Sequence, residues 1–498
     1  MAESGHLPLR PRICYAPDMA DNSHAADLYP FWLSGQRCRG PAREVRNAYN
    51  RTVVGRVCQA EIANIETAMA DMAACAARLA KQTAAERKRA IGVVLDGLKA
   101  QREQFARTIT WESGKPIRAA RGEVDRAITT FRLAMEACDQ RNVQDLEVQS
   151  QVGFADYTCR VIRVPIGPCL FITPFNFPLN LVAHKVAPAL ACGCPFILKP
   201  SDRTPLTALL LGELLAAAKL PAGAWHVLPA AVDHIAIMAA HPVIRLISFT
   251  GSEKVGWDLY RQSAGKTVLL ELGSNSPVVV EPDADMPEAA KRIVRGAFGF
   301  CGQSCISVQR IYIHRGIVAD FTQRLLAETG NLQSGDPMND STDMGPMIDL
   351  AAAQRVEEWV REAVAAGGRL LCGGQRDGAF YAPTLLTHVP GDQRIVRQEV
   401  FGPVAVIQAY DTFAQAMDLC NDPRLGIHAG VFTHNIESIN RAAEQLDFAN
   451  VVINDVPTNR AEAMPYGGVK FSGLGREGVR NAMEHLTLPK ALLMRNAT

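Results

Sequence analysis

The sequence lacks any apolar run near the roughly 20 residues that a helical membrane span needs, so no stretch of it reads as a span. It also lacks an excess of either charge. Its 52 Lys and Arg stand against 51 Asp and Glu, a formal net charge of +1, which gives no long-range pull toward nucleic acid or an anionic membrane. Short basic runs such as Glu86-Arg87-Lys88-Arg89 read as the wet face of a helix. Residues 1–22 carry no apolar core of a secretory signal and read as a loosely held N-terminal arm. There is no disulfide framework either: the 13 cysteines are odd in number and irregularly spaced, which fits reduced thiols in a cytoplasmic compartment. Cys192-Gly193-Cys194 has no second pair at zinc spacing and the histidines are scattered, so no metal site is expected. Internal repeats and low-complexity tracts are missing as well.

What is present is an ordinary globular composition, 48% hydrophobic and 21% charged. At 498 residues the chain exceeds one hydrophobic core, so two or more packed units are expected. From Ala60 to about Ala134 the apolar positions recur at helical spacing, as at Ile91, Val94, Leu95 and Leu98. From Val161 short apolar runs alternate with helical segments. Strands are predicted at Cys169 to Thr173, Pro195 to Leu198, Trp225 to Leu228, Leu246 to Thr250 and Val268 to Leu272. Helices are predicted between them at Leu179 to Ala191, Leu206 to Leu220 and Glu253 to Gln262, the alternation of a doubly wound parallel sheet. A second α/β series begins near Glu288, with strands at Arg310 to His314, Gly430 to Thr433 and Val451 to Asn454. The apolar stretch Leu486 to Met494 is β-capable and reads equally as an oligomerisation edge or an internal strand.

Several residues suit chemistry. Cys305 follows Gly302-Gln303-Ser304, and the apolar residues after it are expected to begin a helix whose dipole would favour a thiolate. Cys301, four residues earlier, is the rival thiol and a candidate sulfur partner under oxidation. Taken alone, either cysteine is as readily a small core residue. Glu271 stands at the C-terminal end of a buried strand, where α/β sites place functional groups and burial raises a carboxyl toward a general base; otherwise it is a strand-end ion pair. Asn176, between Phe175 and Phe177 and flanked by Pro174 and Pro178, is an oxyanion donor or a turn asparagine. Thr250-Gly251-Ser252 opens a helix whose N-terminus suits a pyrophosphate, although it is not the G-x-G-x-x-G fingerprint.

These stretches occur in one order. They are Glu112-Ser113-Gly114-Lys115-Pro116, Thr173-Pro174-Phe175-Asn176-Phe177-Pro178, Lys199-Pro200-Ser201, Phe249-Thr250-Gly251-Ser252, Glu271-Leu272-Gly273, Gly302-Gln303-Ser304-Cys305, Glu399-Val400-Phe401-Gly402-Pro403, and Pro465-Tyr466-Gly467-Gly468-Val469-Lys470 with Ser472-Gly473. Together they resemble the NAD(P)-dependent aldehyde dehydrogenase superfamily over Tyr29 to Leu493. Phe175, the run Ile306-Ser307-Val308-Gln309-Arg310, and Asn454-Asp455-Val456-Pro457-Thr458 with Arg460 are most similar to its bacterial lactaldehyde- and semialdehyde-type branch.

The resemblance implies an α/β fold in three parts: a Rossmann-like cofactor domain (residues 23–145 and 164–270), an α/β catalytic domain (271–483) and a small β oligomerisation element (146–163 and 484–498). It implies a soluble homodimer or homotetramer. Cys305 would attack an aldehyde, Asn176 and the Cys305 N–H would hold the oxyanion, and Glu271 would activate the water that hydrolyses the thioester. Cofactor contacts would come from Thr173, Pro174, Phe175, Lys199, Ser201, Asp202, Gly251, Ser252, Gly256, Leu272, Glu399 and Phe401. Arg121, Phe177, Ser304 and Arg460 are candidate substrate contacts, with Arg118 and Arg126 as further candidates to pair with a small polar or anionic aldehyde. Asp202, where relatives often carry glutamate, leans the cofactor toward NAD over NADP, while Arg203 beside it would tolerate a phosphate. The turn Pro229-Ala230-Ala231 departs from the usual glycine. A CoA-acylating enzyme on the same fold, or a non-catalytic scaffold, are the alternatives; Glu271 argues against the first and the intact trio Cys305, Glu271 and Asn176 against the second.

Overall fold

The structure is a computed structural model that describes residues 27–139 and 143–496, so the expected arm at 1–22 lies outside the described residues. The helical first part forms as its periodicity predicts. Helix Ala84–Ala100 opens on a capping box, Thr83 and Glu86 exchanging side-chain and backbone bonds, and buries Ile91, Val94, Leu95 and Leu98. Among the described residues no helix is long and apolar enough to cross a membrane.

Five parallel strands form the centre of an eight-stranded sheet. Across the sheet they run Thr267–Glu271, Leu246–Thr250, Cys169–Ile172, Phe196–Lys199 and Trp225–Val227. Sequence order therefore reverses between Cys169–Ile172 and Leu246–Thr250, the switch point at which doubly wound sheets open a crevice. The turns that follow these two strands are Thr173–Pro178 and Gly251–Ser252. Antiparallel strands Phe31–Leu33 and Gln36–Cys38 extend one edge, and the two-residue strand Gly473–Leu474 closes the other beside Thr267–Glu271.

A second, seven-stranded sheet follows. Its strands Thr384–Thr387, Val404–Tyr410, Val308–His314, Ser276–Val280, His428–Phe432 and Asn450–Ile453 are parallel, with Arg369–Cys372 antiparallel at one edge. The terminal strand Thr487–Arg495 does have a partner within the chain. It pairs over its whole length with Tyr157–Pro165, which also pairs with Gln144–Leu146. The outer strand keeps Leu488, Leu492, Leu493 and Met494 exposed.

The expected helix after Cys305 is not formed. Helix Met286–Phe298 comes before it, capped by Asp285, and Val308–His314 after it is a central strand, paired on both sides from Arg310 to Ile313. Ile306, Val308 and Ile311 are buried between layers, and a short apolar run of that kind suits a central strand as well as a helix. Between helix and strand, Phe300, Cys301 and Gly302 all take left-handed backbone angles. A Cβ on Gly302 would lie 2.1 Å from the Gly402 carbonyl oxygen, so only glycine lets the two segments cross there.

Gly302→Ala is accordingly expected to lower stability by about 3 kcal/mol or more. Denaturant unfolding would measure it, and a loss below about 0.5 kcal/mol would mean that the crossing opens freely.

Candidate active site

Glu271 ends a strand of the first sheet, and Cys305 precedes a strand of the second, so the site forms where the two sheets face each other end to end. Cys305 is half-buried and stands where two cavities meet. The larger, of about 380 Å³, runs past Pro174, Phe175, Asn176, Glu271 and Leu272 to Thr250, Gly251 and Ser252, with Arg355, Glu399 and Phe401 on the far wall. The smaller, of about 190 Å³, is lined by Phe177, Ser304, Tyr466 and four cations, Lys115, Arg126, Arg295 and Arg460.

The loop carrying Cys305 is pinned from both sides. The Gln303 side chain donates to the Phe300 carbonyl at 3.3 Å and accepts the Ile348 N–H at 2.9 Å, while Ser307 Oγ donates to Gly296 and Ala297 carbonyls. Asn176 Nδ2 donates to the Gln303 carbonyl at 3.0 Å, which ties the amide to this loop, and its Oδ1 is buried without a partner. The Cys305 sulfur lies 2.8 Å from the Tyr466 hydroxyl. Removal from water pushes the thiol up to about 12, opposed by the Tyr466 bond. No helix dipole offsets this, because the helix expected after Cys305 is a strand.

Glu271 is 3% exposed, and neither of its carboxylate oxygens has a hydrogen-bond partner. Burial, and then the charge of Glu477, hold its carboxyl well above the usual range. Glu477 lies below that range: burial pushes it up, but Lys185 at 2.6 Å outweighs it and keeps the group ionised. A carboxyl of raised affinity for protons beside a cavity is suited to take a proton from water.

The larger cavity fits a dinucleotide. Helix Glu253–Gln262 presents its N-terminus there, Ser252 makes no side-chain cap to it, and the Thr250 hydroxyl is buried without a partner. Gly256 packs on Leu272, where a Cβ would sit 2.4 Å from the leucine. Phe175 and Phe401 meet edge to face across the cavity. Glu399 accepts the Ser274 N–H at 3.0 Å, and burial raises its carboxyl to about 7. Thr173 accompanies them at the strand end. Lys199, Ser201 and Asp202 lie along the C-terminal edge of the parallel strands, outside the cavity lining. Asp202 bridges two cations, Lys199 at 2.6 Å and Arg43 at 2.9 Å, and Arg203 turns away to Asp349.

Of the arginines, Arg460 and Arg126 reach the smaller cavity and Arg121 does not. Arg121 pairs with Glu103 and Asp340, and Arg118 with Asp343, on another face of helix Ile117–Ala137. Arg460 lies 3.7 Å from the Tyr466 ring centre, has no acidic partner among the described residues, and buries an unbonded Nε. Arg126 is paired with Glu462. Cys301 is fully buried in the core of the second sheet and lines neither cavity. Tyr466 and Arg295 were not singled out from sequence. Tyr466 lies in the Pro465-to-Lys470 stretch, but nothing local marks it as a neighbour of Cys305.

The profile of the aldehyde dehydrogenase family matches residues 32–492. The chain is 42% identical over 411 residues to 3-sulfolactaldehyde dehydrogenase of Priestia aryabhattai, covering 82% of this chain and 86% of that protein. It is similar to the crystal structure of aldehyde dehydrogenase 21 from Physcomitrella patens in complex with the reaction product succinate, with a TM-score of 0.92 and 39% identity over 94% of this chain and 98% of that one. Glyceraldehyde-3-phosphate dehydrogenase of Methanocaldococcus jannaschii, solved with NADP, matches with a TM-score of 0.88 and 34% identity over 91% and 99%.

The raised thiol predicts that alkylation of Cys305 by iodoacetamide climbs about tenfold per pH unit from about pH 7 to about pH 9. Tyr466→Phe removes the bond that lowers the thiol and is expected to slow alkylation about tenfold at fixed pH. A plateau near pH 7, or no effect of Tyr466→Phe, would contradict this account of the sulfur.

Proposed function

Since the chain belongs to the aldehyde dehydrogenase family and so is an NAD(P)-dependent enzyme that oxidises aldehydes to carboxylic acids, we propose that Cys305 is its nucleophile and that its substrate is a small polar or anionic aldehyde. The observation that carries this reading is the position of Cys305 between an acid-bearing cavity and a cationic one.

In the smaller cavity Arg460, which makes no direct ion pair among the described residues, meets the anionic end of the aldehyde, with Arg295 at the rim and Phe177 and Ser304 as walls. Cys305 passes its proton to a base and attacks the carbonyl carbon. The resulting oxyanion takes hydrogen bonds from Asn176 Nδ2 and the Cys305 N–H. The nicotinamide, when bound, supplies the hydride acceptor that turns the thiohemiacetal into a thioester. Glu271 then takes a proton from water, the resulting hydroxide adds to the thioester carbonyl, and the carbon–sulfur bond breaks to give the acid and restore the thiol.

The cofactor cradle is assigned to the strand ends and turns that flank the larger cavity: Thr173, Pro174 and Phe175; Lys199, Ser201 and Asp202; Gly251, Ser252 and Gly256; and Leu272, Glu399 and Phe401. NAD is assigned over NADP because Asp202 puts a carboxylate at that edge, even though Lys199 and Arg43 share its charge. The sheet of Gln144–Leu146, Tyr157–Pro165 and Thr487–Arg495 is assigned as the oligomerisation element of a homodimer or homotetramer, supported by its open, apolar outer strand. Light scattering that returns a monomer would remove that assignment.

An aldehyde panel tests the reaction. With NAD and no coenzyme A, NADH and the free acid are expected together; NADH formed only when coenzyme A is added, with an acyl-CoA thioester in place of the free acid, would favour acyl transfer. Anionic aldehydes are expected to exceed neutral ones of equal length in kcat/KM, and Arg460→Met to raise KM for the anionic ones by about 10- to 100-fold. A wide margin for neutral aldehydes would end the anion reading.

A further inference from the structure

Lys115 carries a buried ammonium whose hydrogen-bond partners belong to one short segment and its support, and which also lies 4.6 Å from the centre of the Phe300 ring. Its side chain is 1% exposed. The ammonium pairs with the equally buried carboxylate of Glu123, donates to the backbone carbonyl of Asn176 at 2.7 Å, and lies 3.8 Å from the centre of the Phe177 ring. The other Glu123 oxygen accepts the N–H groups of Leu179 at 2.9 Å and Asn180 at 3.1 Å, where helix Asn180–Cys192 begins. One ion pair therefore grips the backbone on both sides of Phe177-Pro178.

Burying two charges stabilises a fold only when the remaining donors and acceptors are also satisfied, so the pair is weak evidence for stability and better evidence for geometry. The geometry in question is that of Asn176. Among the described residues its side chain makes one hydrogen bond, Nδ2 to the Gln303 carbonyl, and its Oδ1 has none. Where the second Nδ2 hydrogen points is then set by the backbone of Asn176, and the carbonyl of that residue is held by Lys115.

We propose that Lys115 is a positioning residue for aldehyde oxidation, aiming the Asn176 amide at the oxyanion through the Asn176 carbonyl. The inference rests on the oxyanion reading of Asn176 given above. It goes beyond that reading by making the donor's direction depend on an ion pair in a different part of the sequence.

The test removes both charges together, so that no unpaired buried ion remains. The pair variant Lys115→Met with Glu123→Gln also keeps an acceptor for the two helix amides. Its single-turnover NADH formation is expected to fall about 100-fold, as for a misplaced catalytic group, with the aldehyde KM within about threefold. Iodoacetamide alkylation of Cys305, which forms no oxyanion, should keep its rate and pH profile. Adding Asn176→Ala to the pair variant should bring the total loss only to that of Asn176→Ala alone, because both act through one amide. Lys115→Arg keeps a cation against Glu123, and with it the fold. Its planar fork cannot serve the carboxylate and the carbonyl from one atom, so the hydride step should drop about tenfold.

An unchanged hydride step in both variants overturns the proposal. So does slowed alkylation, or a loss beyond that of Asn176→Ala alone when the two changes are combined. If Asn176→Ala alone is without effect, the oxyanion reading fails first and takes this proposal with it; if Asn176→Ala alone loses about 10²- to 10³-fold while both Lys115 variants keep their rates, only the proposal fails.

Discussion

Glycine 473 and leucine 474 make the shortest kind of strand, and the site is arranged around their pairing. They run antiparallel to Leu270 and Glu271 at the edge of the first sheet, and the Ser472 carbonyl accepts the Leu272 N–H at 2.9 Å. A Cβ on Gly473 would lie 2.3 Å from the Leu270 carbonyl oxygen, so the approach needs glycine. Ser472 Oγ bonds the Gly273 carbonyl on the same stretch. This junction fixes the strand end that carries Glu271 and delivers, from either side of the pairing, Tyr466 to Cys305 and Glu477 to Lys185. The first sheet is thus finished by residues from the far end of the chain.

Charge is then divided between the two cavities. One holds Glu271, kept from solvent and without a hydrogen bond, so that it binds a proton more readily than an ordinary carboxyl. The other is lined by basic side chains, and Glu462 balances them in part by bonding both Arg126 and His184. Burial lowers the His184 imidazole below its usual range, which leaves the carboxylate of Glu462 to answer the arginines. The Cys305 thiol thus lies between a wall that holds a buried carboxyl and a wall of basic side chains.

Much of the fold was readable because its strands are short, apolar and buried on both faces. Leu246–Thr250 and helix Glu253–Gln262 lie where their patterns put them. The same patterns misled after Cys305, since buried β-branched residues do not separate a central strand from a helix by periodicity. The site was readable where its groups sit at element ends and follow a known order. It was not readable where a neighbour is made by folding alone: Tyr466 reaches Cys305 across 161 positions. Arg121 and Arg126 show another limit. Five residues apart on one helix, they project on different sides, one to surface acids and the other to the cavity, and nothing in the residue type distinguishes them.

The same edge strand has a consequence for the order in which the protein can come into being. On a ribosome the other seven strands of the first sheet, the loop carrying Cys305 and all seven strands of the second sheet emerge before Tyr466, Gly473 and Glu477 do. Until those residues arrive, Glu271 ends an open sheet edge in contact with water and Cys305 lacks its hydroxyl neighbour. A fragment that ends before Tyr466 would therefore carry the thiol without the enclosure that surrounds it in the complete fold.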